Sequence, residues 1–268
     1  MLGSGIKDTQ MATVITIASG KGGVGKSSLA TNFALRLQKT SGRTLLVDSD
    51  LLMANSHILL NIKPEFDLID VLQARCTLCE AIAHVDGGLS VLAGRTGASV
   101  AVDKVEDPLQ DVLSQLRDLK DAFDFIVVDA PAGAGQDLIN TLANSDRVVV
   151  VLLAQATSFV DAYSLIKNSY MERGITQYSV LVNMVNTEGQ AKGVFENFRS
   201  TVKAFLPVNL TYAGHVEHCR EIYASSIKCV SIVQMGGKRE QIKNFDAILS
   251  QIQRAPHNAL QLEHTPRT

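Results

Sequence analysis

The chain has 268 residues, 46% of them hydrophobic, which is enough for one substantial α/β core. Its net charge of −2 argues against a globally basic nucleic-acid binder and leaves only a local basic patch open. Tryptophan is absent and aromatics make up 5%, too few for a base-stacking platform, and neither a bilayer-spanning apolar run nor a signal-peptide pattern is present.

Residues 1–11 are polar and are expected to form a flexible segment ahead of the fold. The apolar run Val14–Ala18 predicts a first strand, and Lys26–Lys39 follows at helical spacing. Between them, Gly20-Lys21-Gly22-Gly23-Val24-Gly25-Lys26-Ser27 fits the pattern G-x-x-x-x-G-K-[ST] at every fixed position. Glycines let the backbone wrap a polyphosphate, with consecutive N–H groups turned inward. Gly22, Gly23, Val24, Gly25, Lys26, Ser27 and Ser28 are therefore the expected phosphate-binding residues. Lys26 reaches the β- and γ-phosphates, and the Ser27 hydroxyl reaches Mg²⁺.

Strands are next expected at Thr44–Val47, which runs into Asp48-Ser49-Asp50, and at Leu89–Leu92. Helices are expected at Leu68–Leu72, Leu78–His84 and Pro108–Asp121. Cys76-x-x-Cys79 has zinc or redox spacing, but no second such pair follows, and two ordinary thiols are the favoured reading. Phe125–Val128 is four apolar residues followed by Asp129, a Walker B pattern whose carboxylate holds Mg²⁺ through water beside Ser27. Further strands are expected at Val148–Leu153, Ser179–Val185 and Leu210–Gly214. The remaining helices are Gly135–Asn144, Thr157–Arg173 with Thr157 as cap, Gly189–Phe205, Cys219–Ser225 and Gly237–Arg254. Strands separated by helices predict an α/β fold with a doubly wound, mainly parallel sheet and helices on both faces. It spans residues 12–254, with a polar tail over 255–268.

The octet carries a second lysine, Lys21, and so resembles the K-G-G-x-G-K-[ST] motif of the ParA/MinD group of P-loop ATPases. The resemblance covers nearly the whole chain and implies ATP/ADP and Mg²⁺ as cofactors and an ATP-dependent homodimer. It gives Lys21 a reach across that dimer to the nucleotide of the other subunit. Asp50 matches the switch I aspartate that orients the attacking water, near Mg²⁺; the plainer reading is a strand-end cap. Asp48 is an orienting residue or a cap, and Asn55 occupies the switch I asparagine position. Ala130-Pro131-Ala132-Gly133 resembles the switch II segment. Asn183 matches the adenine-contacting asparagine, and the absence of N-K-x-D favours ATP over GTP. After the last strand, Gly214-His215-Val216-Glu217-His218-Cys219 departs from the family's usual Pro-x-Asp; Glu217 and His218 are candidates for lining the base or ribose.

Thr157-Ser158-Phe159-Val160-Asp161-Ala162-Tyr163-Ser164-Leu165-Ile166-Lys167 resembles a segment of the FlhG/FleN branch, MinD-like ATPases that control flagellar number and placement. The implied role is an ATP-hydrolysing switch with partners in flagellar assembly or its transcriptional control, in the cytoplasm with recruitment to the cell pole or inner membrane surface. The alternatives are a ParA-like partition or cargo ATPase acting on DNA and a MinD-like membrane-cycling division-site regulator. Membrane binding turns on Ile242, Phe245, Ile248, Leu249 and Ile252, an apolar stripe that is either the last core helix, the preferred reading, or an interfacial anchor.

Overall fold

The computed structural model describes residues 12–50, 54–95, 112, 115–116, 122–219, 221, 230–236 and 239–258. Among the described residues, eight strands form one sheet: β1 (Thr13–Ser19), β2 (Thr44–Asp48), β3 (Ile82–His84), β4 (Ser90–Leu92), β5 (Phe125–Ala132), β6 (Arg147–Leu153), β7 (Gln177–Val185) and β8 (Asn209–Glu217). Their order is β3-β4-β2-β5-β1-β6-β7-β8. Every pairing is parallel except β3 with β4. The chain turns to one side of β1 for β2 to β5 and to the other for β6 to β8. The switch point therefore falls at the carboxyl end of β1, where the glycine-rich loop begins.

Unbroken Val/Ile/Leu runs suit strands covered on both faces. In β6, Val149 and Val151 pack into one core and Val148, Val150 and Leu152 into the other. The first face carries α1 (Lys26–Thr40) and α8 (Arg239–Arg254). They are joined by Phe33 against Phe245, ring centroids 5.7 Å apart and edge-on, and by a two-pronged Arg36–Asp246 ion pair at 2.7–2.8 Å. The opposite face carries α5 (Gln136–Ala143), α6 (Ala156–Arg173) and α7 (Glu188–Phe205). The apolar stripe at Phe245, Ile248, Leu249 and Ile252 is buried, so α8 is a core helix. Among the described residues, no helix is long and apolar enough to cross a membrane.

Several expectations need correcting. The helix expected at Leu78–His84 stops at Ala81; α4 (Leu78–Ala81) is a single capped turn, and Ile82–His84 becomes the antiparallel edge strand β3. The reason lies downstream: Asp86-Gly87-Gly88 reverses the chain, Val85 bonds Leu89, and Ile82 pairs with Leu92. β5 runs on through Pro131 to Ala132 instead of ending at Val128, because Ala132 still pairs with Ser19. Thr157 is not a cap. It lies inside α6, whose N-cap is Gln155 without a side-chain bond, while the Ser158 hydroxyl accepts from the Leu153 N–H at 3.0 Å. One short helix went unpredicted, α2 (Ser56–Leu59), whereas α3 (Leu68–Leu72) is where the spacing put it. The helices expected over Pro108–Asp121 and Cys219–Ser225 lie largely outside the described residues, as do residues 1–11 and 259–268.

Candidate nucleotide site

The loop after β1 leads directly into α1, so the first-turn N–H groups of α1 open onto the sheet's carboxyl edge. Gly25 stands at the N-cap with φ 88°, a left-handed conformation that side chains rarely adopt. Neighbouring structure also leaves no room there: a Cβ on Gly25 would lie 2.6 Å from Asn183 Nδ2. Gly20 is packed as closely from the other side, where a Cβ would stand 2.2 Å from the Asp161 backbone of α6.

Lys26 is 8% exposed and Asp129 1%, and they form an ion pair with Nζ 2.8 Å from Oδ1. Asp129 reaches this point because β5 lies beside β1 and β2, in register with Ile17 and Asp48. The Ser27 side chain stands beside the Asp129 carboxylate and favours its ionised form. The other oxygen, Oδ2, is buried and has no hydrogen-bond partner among the described residues. Burial pushes the Asp129 carboxyl up from its ordinary range; the Lys26 charge and the nearby Ser27 side chain oppose this, and the Asp50 charge adds to it. A buried carboxylate oxygen with an open valence next to a serine hydroxyl fits a divalent cation. Among the described residues no group of three or more His, Cys, Asp or Glu is arranged to hold a metal unaided. Mg²⁺ would accordingly need phosphate oxygens and water to complete its shell, as Mg²⁺ commonly does.

Asp48 makes the contacts of a cap. Its carboxylate accepts the N–H groups of Asn55 and Ser56, each at 2.9 Å, and that of Asp50 at 3.3 Å. It thereby ties Asp50 to the start of α2. Burial first, and the nearby Asp129 charge second, push Asp48 up to about 7. Asp50 is half-buried on the same loop. Asn55 is exposed at the N-cap of α2. Lys21 is exposed, and its carbonyl accepts from the Ser19 hydroxyl at 2.8 Å. The Gly133 N–H bonds the Ser19 carbonyl at 3.0 Å, tying the expected switch II segment to the loop's first residues.

Asn183 ends up against the loop: its Nδ2 donates to the Val24 carbonyl at 2.8 Å in a buried bond. Glu217 is exposed at the end of β8, 3.8 Å from His215 Nε2. His215, Glu217 and His218 line a cavity of about 590 Å³ together with Gln241, Asn244 and Phe245 of α8. Lys26, Ser27, Asp48, Asp50, Asp129 and Asn183 thus come together around the loop, while Glu217 stands apart at the sheet's edge. Sequence reasoning gave no role to Met184, which has φ 56° and projects beside Gly25. The available signal was a long side chain directly after a strand-end asparagine. Cys76 is half-buried and Cys79 exposed, and both are free thiols.

A sequence model of the AAA domain matches residues 12–173. The antiactivator FleN of Pseudomonas aeruginosa is 28% identical over 243 residues, covering 91% of this chain and 87% of FleN. The flagellum site-determining protein YlxH of Helicobacter pylori is 30% identical over 213 residues, covering 76% of this chain and 69% of YlxH. Among solved structures, the septum site-determining protein MinD complexed with Mg-ADP from Pyrococcus horikoshii has the same fold, with a TM-score of 0.75 at 19% identity over 91% of this chain and 97% of that one.

Proposed function

We propose, for a chain that belongs to the ParA/MinD family of P-loop ATPases, that it is an ATP-hydrolysing switch that dimerises with ATP and regulates the number or placement of flagella. The observation that carries the nucleotide chemistry is the Lys26–Asp129 pair with its unpartnered Oδ2. A triphosphate in the loop offers Lys26 a stronger anionic partner, and a cation beside Ser27 satisfies the carboxylate that Lys26 leaves. Mg²⁺, when bound by Ser27 and Asp129, supplies charge neutralisation on the phosphates. Asp50, on the loop that Asp48 braces, accepts a hydrogen bond from water and aligns it with the γ-phosphate; phosphoryl transfer is mainly such positioning plus charge stabilisation. Exposed Lys21 is free of burial cost and stands ready to face the nucleotide of a second subunit.

The flagellar assignment rests on the likeness to FleN across 91% of the chain. A division-site or partition role is the second reading, favoured by the fold shared with MinD. The distinguishing experiment is affinity capture from the source cell with the Asp50→Ala protein loaded with ATP and the parent protein loaded with ADP. ATP-dependent recovery of flagellar proteins at the cell pole or membrane surface is expected. Recovery of chromosomal DNA or division proteins instead would move the protein to the second reading.

A further inference from the structure

The segment that carries Asp48 and Asp50 is held from two sides. From one side the Asp48 carboxylate collects the N–H groups of Asp50, Asn55 and Ser56. On the other side it meets the end of β4. That strand pairs with β2 as far as Leu92 and Val47, which brings Gly94, two residues further on, beside the residues after Val47. Gly94 is buried, and a Cβ there would lie 2.7 Å from Ala54 Cβ, 3.0 Å from the Asp48 carbonyl oxygen and 3.2 Å from that of Asp50. Carbon atoms in favourable contact stand about 3.5–4.0 Å apart. Gly94 has no positive φ, so space alone excludes a side chain at this position.

The end of β4 is itself fixed. The Ala93 carbonyl accepts the Leu68 N–H at 2.8 Å. Arg95 grips Asp67 through Nε at 2.6 Å and Asp70 through Nη2 at 2.8 Å. Asp67 and Asp70 also close the capping box at the start of α3. The residues on both sides of Gly94 are thus tied to α3, and Gly94 between them has little freedom to back away from Asp50. Close-packed interiors transmit such strain instead of absorbing it.

We infer that Gly94 is a positioning residue for hydrolysis: anchored to α3 through Ala93 and Arg95, it is the backstop that fixes where Asp50 stands. The inference rests on the reading of Asp50 as the residue that aligns water, and deepens it. The nearest neighbours of Gly94 belong to Asp48, Asp50 and Ala54, whereas the phosphate-binding residues come from β1, α1 and β5. A change at Gly94 is therefore felt by the step that needs aligned water and spared by nucleotide binding. A misplacement of about 1 Å costs such a step about 100-fold.

The experiment measures Mg·ATP affinity by calorimetry and phosphate release at saturating Mg·ATP, on the full chain, with circular dichroism checking that each variant is folded. Gly94→Ala should leave ATP affinity unchanged and lower kcat by about tenfold or more. Adding Ala54→Gly removes the Cβ that stands closest and should restore much of the lost kcat. A new glycine lowers stability, so recovery of turnover by it reads placement and not stability. If Gly94→Ala does not fold, Arg95→Met serves in its place, since it leaves Gly94 alone and releases both ion pairs. Its kcat should fall severalfold at unchanged ATP affinity, with Arg95→Lys between it and the parent. Parental turnover in the folded variant overturns the proposal, and so does ATP affinity that falls in step with turnover. Failure of Ala54→Gly to restore Gly94→Ala overturns it as well, as does loss of the ATP-dependent mass gain in light scattering, which would place the defect in dimerisation. All four results leave the ATPase reading standing. A parent protein that does not hydrolyse ATP, or an Asp50→Ala protein with parental turnover, removes that reading itself, and this proposal with it.

Discussion

Asp48→Asn tests whether the site is strained before its ligands arrive. The Asp48 side chain is fully buried, and its pKa is pushed up to about 7 from an ordinary 3.8. A carboxyl whose pKa is higher in the folded than in the unfolded chain favours the fold while protonated. Its contribution is complete below pH 4, declines as pH rises, and is exhausted above about 7. At ~1.36 kcal/mol per unit, the ionised form costs the empty fold at most about 4 kcal/mol. Asparagine carries no charge, yet its oxygen can take the place of Oδ2 and keep both 2.9 Å bonds to Asn55 and Ser56. Only the 3.3 Å bond from Asp50 is lost. The stability of the variant relative to the parent should therefore improve by about 2–3 kcal/mol between pH 5 and pH 8. Urea unfolding without nucleotide or Mg²⁺ measures this at both pH values. An equal difference at the two pH values would show that Asp48 is not held near 7 and would refute the reasoning.

Lys26→Ala should abolish ATP binding in calorimetry, and by leaving Asp129 buried without its cation should also cost about 3–5 kcal/mol of stability at neutral pH. Asp50→Ala should still bind Mg·ATP, hydrolyse it far more slowly and accumulate as dimer; parental turnover would make Asp50 a structural cap. Adding Lys21→Ala to that background should shrink the ATP-dependent mass increase seen by light scattering, because Lys21 gains most from a γ-phosphate across the interface. Phe245→Glu should unfold the domain, since it buries an unpaired charge against Phe33; folded variant protein that has lost ATP-dependent sedimentation with anionic liposomes would make α8 an anchor instead.

What could be read from the sequence is what depends on local pattern. Val148–Leu153 announces a doubly covered strand, and the glycine octet between strand and helix announces a phosphate loop. Gly25, Lys26 and Ser27 are read from it, and Asp129 from the four apolar residues Phe125–Val128 before it. What escaped depends on partners far along the chain. Ile82–His84 reads as helix until Ser90–Leu92 is brought beside it. The two readings of Asp48 are separable only once the loop returns Asn55 and Ser56 to it. Asn183 was singled out by resemblance as a base contact, but its bond to Val24 joins positions 159 residues apart, and no local pattern encodes that. The bulge at Met184 requires the β8 register, which exists only in the folded sheet.

The geometry also implies an order of dependence among the ligands. Among the described residues Lys26 has one buried anionic partner, and that partner is the carboxylate that would serve the metal. Nucleotide without a cation draws Lys26 toward phosphate and strips Asp129 of its counter-charge in a buried setting. A cation without nucleotide must approach a carboxylate already paired with an ammonium group. Each ligand alone would meet a penalty that the other removes, so by linkage each would raise the affinity of the other by the same factor. A site built this way would discriminate Mg·ATP from either component. It would do so through one aspartate whose second oxygen is left open at the end of β5.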